Sequence, residues 1–189
     1  NPYKSELQDA IAASISTKTE AEQFSIIQDR MKSSSKSHLY YANLATIGSG
    51  EALNIILDGY KKSGVHSTAA FEALLSMSNF DALHPLLEIA RDSKNAEDVS
   101  KAVSALIKIV ASSNQTGIVK ANYLQELLAL SKSVNQKRVI VGHLGNTNSF
   151  QALLALETYL DDKDLKESSI FEELSLKPPD FSTLDPSGL

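Results

Sequence analysis

The chain has 189 residues, 42% hydrophobic and only 6% aromatic, with no Trp, no Cys and a net charge of −5. This composition supports a packed core, opposes a dedicated nucleic-acid binder, and excludes disulfides, thiolate metal sites and a Cys nucleophile. Five prolines and eight glycines against abundant Leu and Ala favour helices over a sandwich or barrel.

The chain opens Asn1-Pro2, without Met or a signal-like apolar run, so a removed leader or a longer parent protein is expected. Tyr3, Leu7 and Ile11 follow at helical spacing and predict an opening helix that caps what comes after it. From there the chain repeats itself. Leu44 to Leu53, Leu74 to Leu83 and Leu144 to Leu153 each read as a helix end, a polar turn with a capping Ser or Asn, and a new helix. In each the two leucines are nine residues apart, as are Ile15 and Phe24. This defines a B series of anchors (Ile15, Leu44, Leu74, Leu106, Leu144, Leu174) and an A series (Phe24, Leu53, Leu83, Leu124, Leu153). An A anchor precedes the next B anchor by 20 to 23 residues, so the predicted unit is a helical hairpin of about 30 residues.

The flanks support the register. Three before the B anchors stand Ala12, Tyr41, Phe71, Val103, Val141 and Phe171, and three after the A anchors stand Ile27, Ile56, Leu86, Leu127 and Leu156. All are apolar, which gives one stripe per helix. A single hairpin cannot bury such a stripe, whereas stacked neighbours can. Leu106 to Leu124 is eighteen residues, and the excess surrounds Ser112-Ser113-Asn114-Gln115-Thr116-Gly117. Either the flanking helices are each a turn longer, or this segment is a rim loop that touches a partner.

Residues 80–92, with Pro85 inside the first helix, followed by Asp98-Val99 and the helix to Leu106, resemble a HEAT repeat. Leu144-Gly145 resembles the end of a second helix of that family. Tetratricopeptide and armadillo readings fit less well, for want of the Trp and Leu-Gly-x-x-Tyr pattern and of a third helix. The resemblance implies an all-α, right-handed α-solenoid of about five hairpins plus the N-terminal capping helix, in one domain over residues 1–176. It also implies that the B helices line the concave side. On that face the register places His38, Thr68, Ser100 and Arg138, then Glu72 and Ser104, then Lys108 and Asn146. These are small or polar and lack aromatic anchors, which suggests a spacer or a surface completed by another domain.

Chemistry is sparse. None of the four His is followed by Glu, the pairing by which a HEAT-like enzyme family, deoxyhypusine hydroxylase, binds its di-iron centre. No His-x-x-x-His spacing is present either, so neither a metal nor any other cofactor is expected. Ser49 in Gly48-Ser49-Gly50 reads as a helix cap, and adjacent acids such as Asp161-Asp162 do not share a helix face. Lys132, Lys137 and Arg138 form only a small basic cluster. Residues 157–185 carry a net charge of −6, which reads as a polar end cap or an acidic docking surface. Residues 177–189, with Pro178-Pro179 and Pro186, read as an extended tail or a linker to a downstream domain.

The expected function is a non-catalytic scaffold or protein-interaction module, monomeric, not inserted in a membrane, and partnered by another protein or a neighbouring domain. The Ser-rich turns, absent Cys and Pro-rich exit also resemble HEAT-like segments of secreted bacterial multidomain proteins. Some of these carry a keto-disaccharide hydrolase or glycan-binding domain, which implies an accessory role in glycan processing and a periplasmic or secreted location. An enzyme built on the solenoid itself is the remaining alternative.

Overall fold

A computed structural model describes residues 4–159 and 162–165. Among these residues the chain forms ten α-helices and no strand. They are α1 (Lys4–Ile15), α2 (Glu20–Ser33), α3 (Tyr41–Ile47), α4 (Gly50–Tyr60), α5 (Val65–Ser76), α6 (Leu83–Asp92), α7 (Ala96–Ser112), α8 (Gly117–Leu130), α9 (Val134–Gly145) and α10 (Phe150–Glu157). Short 3₁₀ turns, Ser37–Tyr40 and Phe80–Ala82, lead into α3 and α6. No helix among the described residues is long and apolar enough to cross a membrane. The chain divides into two compact units, Asn1–Ser113 and the residues from Asn114 on. The sequence reading runs one array through residue 176, whereas this division falls inside the turn-rich cluster.

Every B anchor through Leu144 falls in an odd-numbered helix, and every A anchor in an even-numbered one. Leu174, Phe171 and the Pro-rich tail with its expected boundary at 176/177 lie outside the described residues. The apolar positions three after the A anchors (Ile27, Ile56, Leu86, Leu127 and Leu156) are all buried. So are Leu44, Leu74, Leu106 and Leu144 of the B series. Helix starts follow local chemistry. The side chains of Ser49, Thr116, Ser133 and Ser149 each accept a backbone N–H of the first turn that has no partner within the helix. Pro85 sits in the first turn of α6, where its missing N–H leaves no helical bond unmade.

In the first unit α4 packs on α5 and α6 on α7, while α3 packs on α5 and α5 on α7. Two hydrogen bonds each spanning 31 residues tie distant parts of this unit: Gln8 Nε2 donates to the Leu39 carbonyl, and Asn79 Nδ2 to the Gly48 carbonyl. Gly48 adopts φ +72°, the left-handed conformation that ends α3 and that glycine takes without a Cβ penalty. The docking of α1 is half polar. Ile15 is buried and Leu7 exposed, while Asn43 Nδ2 donates to the Gln8 carbonyl at 3.1 Å. In the second unit α8 packs on α9, and α10 on both. Leu165 is buried, and Arg138 Nε donates to the Asp164 carbonyl at 3.0 Å.

The long interval between Leu106 and Leu124 is taken up mostly by helix. α7 runs six residues past Leu106, and α8 starts seven before Leu124, so Ser113–Thr116 remain between them. Ser112 and Ser113 turn their hydroxyls back onto the carbonyls of Lys108 and Val110, and Thr116 caps α8. Asn114 and Gln115 are exposed, and Gly117 is the first residue of α8.

Candidate functional site

The sequence-chosen face is best assembled in the first unit. Thr68 and Glu72 lie on α5, and Ser100, Ser104 and Lys108 on α7, each series at four-residue intervals along one side of its helix. The Lys101 ammonium beside this face is held above its ordinary pKa chiefly by the Glu97 carboxylate at 2.6 Å, with smaller contributions from Asp98 and then Glu72. The residues of the face are exposed except the half-buried Ser100. In the second unit Arg138 and Asn146 serve the fold. Arg138 holds the Asp164 carbonyl, and Asn146 Nδ2 donates to the Gly142 carbonyl at the end of α9.

His38 belongs to a cluster that the sequence did not reveal. Its ring meets the edge of His66, at the start of α5, with centroids 5.4 Å apart. His66 Nδ1 is 3.0 Å from the Tyr41 hydroxyl. Tyr41 is 2% exposed and packs against Gly59, where any Cβ would strike the phenol ring. Burial pushes the Tyr41 hydroxyl above its ordinary pKa, and Asp58 adds to this. The arrangement holds one imidazole and one phenol at a fixed separation. The described residues contain no group of three His, Asp or Glu placed to hold a metal ion.

Two grooves open between A helices. In the first unit, Tyr60, Lys61, Glu88 and Asp92 line a cavity of about 420 Å³ between α4 and α6, mixed in charge. In the second unit, Asn122, Gln125, Gln151, Leu154, Thr158 and Tyr159 line one of about 370 Å³ between α8 and α10. None of these six is charged, in a chain of which 22% is charged. Gln125 Nε2 donates to the Gln151 carbonyl at 3.2 Å, which ties the two helices together along the groove.

This second groove has an apolar rim. Leu154 is 48% exposed, and Phe150, one turn earlier on the same face of α10, is 66% exposed. Ile118 on α8 is exposed as well. The sequence carried a signal for Leu154. The residue after each A anchor is Ser25, Asn54, His84 and Gln125, then Leu154: one apolar residue in a slot otherwise polar. The slot lies on the A helices, outside the B-helix face to which the register assigns the candidate contacts.

The chain matches no protein-family model, no curated protein and no solved structure.

Proposed function

We propose that this chain is a non-catalytic protein-interaction module, an α-solenoid of HEAT-like hairpins whose contact surface includes the α8/α10 face of the second unit. The observation that carries the reading is the pair Phe150 and Leu154, both large, apolar and exposed beside an uncharged groove. Apolar side chains at adjacent turns of one helix, next to polar groups that complement a main chain, are the composition of a docking surface. The repeat reading is supported by the burial of the same register position in all five A helices. The B-helix face with Thr68, Glu72, Ser104 and Lys108 is polar and serves as rim or spacer.

The test is selection of a displayed random-peptide library against immobilised protein. The wild type should enrich peptides that lose binding to Leu154→Ser and Phe150→Ser, while both variants keep the wild-type melting temperature. Equal binding to wild type and variants would remove this face from the proposal.

A further inference from the structure

A third cavity lies within the first unit, between α1, α2 and α3, with a volume of about 390 Å³. We infer that it binds a small neutral alcohol, with the apolar body against the cavity wall and the hydroxyl donating to Asn43 Oδ1. This site and its ligand are independent of the α8/α10 face.

The wall sets the charge and size of the ligand. Ala12, Ala13, Ile15 and Ile47 supply its apolar part, and Ser16, Gln23, Asn43 and Thr46 its polar part. None of these is charged, so the wall offers no counter-charge to an ion that leaves water. The volume is in the range of small-molecule sites, which are mostly apolar with a few polar groups that fix orientation. Ala13, Ser16 and Thr46 are exposed, so the cavity opens to solvent.

The polar part sets the head group. Its donors are already engaged with the main chain. Ser16 Oγ donates to the Ala13 carbonyl at 2.9 Å, Thr46 Oγ1 to the Ala42 carbonyl at 3.1 Å, and Gln23 Nε2 to the Lys18 carbonyl at 2.8 Å. Asn43 Nδ2 is held in the same way by the Gln8 carbonyl. Asn43 is 3% exposed, yet its Oδ1 has no hydrogen-bond partner. A buried acceptor that has lost its water and gained no donor costs the fold stability, and a ligand hydroxyl returns that bond. Gln8 is not on the cavity wall, whereas Ala12 and Ala13, one turn farther along α1, are. The nitrogen of the carboxamide is thus engaged at the preceding turn, and the oxygen is the end left for the cavity. A ketone or a carboxylate brings only acceptors and leaves that oxygen unmet.

The experiment is amide NMR of the full chain titrated separately with cyclohexanol and cyclohexanone, rings of nearly equal size of which only the first carries a donor. Cyclohexanol should give saturable shifts at the amides of Ala12, Ala13, Thr46 and Ile47, and should bind roughly tenfold more tightly than cyclohexanone. Asn43→Leu keeps the bulk but removes the oxygen, and should bring the two affinities to within about twofold of each other. Ala13→Phe serves as a second variant, in case the first folds poorly. It fills the cavity from an exposed position and should abolish the shifts with the melting temperature unchanged. Equal affinity of the wild type for both compounds would overturn the inference, since the Asn43 oxygen would then have no part in binding. So would the absence of saturable shifts up to the solubility limit of cyclohexanol, which would leave that oxygen to a water alone. Either failure leaves the α8/α10 face standing, because its test reads Leu154 and Phe150.

Discussion

α7 and α10 present opposite kinds of outer surface. α7 has 17 residues and buries seven, and its outward positions are Ser100, Ser104 and Lys108. α10 has eight residues and buries Ala152, Ala155 and Leu156, while Phe150 and Leu154 face solvent. An amphipathic helix with a polar outer face has completed its packing within the fold. One with a large apolar residue at two successive turns of its outer face has a packing surface left over. Function is therefore better sought on the short helix than on the long one.

The comparison predicts its largest effect on the buried side. Leu106 is almost fully enclosed on α7. Leu106→Ala should cost about 2–5 kcal/mol, because the surrounding side chains collapse only partly into the space left behind. Urea unfolding followed by circular dichroism measures this. A loss below about 1 kcal/mol would mean that the B anchors are not the core of their helices. Leu74→Ala on α5 is expected to behave in the same way.

Next in size is a change that adds atoms. Gly117 begins α8 against the turn between α9 and α10, and a Cβ there would strike the Thr147 carbonyl oxygen. That oxygen belongs to the backbone and cannot swing aside. Gly117→Ala should destabilise the second unit by about 1–3 kcal/mol despite its better helix propensity. Amide exchange resolved by residue would place the loss in α8 to α10. Protection unchanged across those helices would show that the turn yields.

The buried half of this molecule was legible in the sequence, because helical periodicity is a local property. Ile27, Ile56, Leu86, Leu127 and Leu156 could be read as one register, and all five are inside. The first and last members of the A series, Phe24 and Leu153, are only half-buried, whereas Leu53, Leu83 and Leu124 are buried. The excess residues between Leu106 and Leu124 left two readings open, and the structure places most of them in helix. What periodicity does not encode is which residue meets which across helices. The contact between Tyr41 and His66 joins residues 25 apart across α3 and α4, and no spacing in the sequence announced it. The candidate site had a local signal at Leu154. It needed the A-helix register to be carried to its outer face and compared slot by slot.

A smaller effect on stability tests the exposed side of the comparison. Leu154→Ser and Phe150→Ser should each change the unfolding free energy by no more than about 1 kcal/mol, since Leu154 is 48% and Phe150 66% exposed and neither is a core residue. Thermal unfolding of the two variants measures this. A loss comparable to that of Leu106→Ala would mean that α10 already spends this face within the fold.

The smallest effect concerns a helix end that is complete in itself. At the start of α2, the Glu22 N–H donates to Thr19 Oγ1, and the Thr19 N–H and hydroxyl both donate to the Glu22 carboxylate, each at 2.9 Å. This reciprocal capping box favours the ionised acid. The Thr19 backbone bond, then its hydroxyl, and last the nearby Lys18 ammonium hold Glu22 below its ordinary pKa, against a small opposing effect of burial. Because the folded value lies below the unfolded one, the box adds stability above the unfolded value, near 4.3 for a free glutamate. That contribution is lost as pH falls through the lower folded value. Glu22 is fully exposed, so the consequence is fraying of the first turn of α2 rather than global unfolding. Carboxyl-carbon NMR should show Glu22 titrating lower in the folded chain than in the chain denatured with urea. Thr19→Val, which removes the hydroxyl but keeps the backbone N–H, should move it part of the way back. An unchanged titration in Thr19→Val would assign the shift to the backbone N–H and Lys18, and the hydroxyl would then have no share in closing the box.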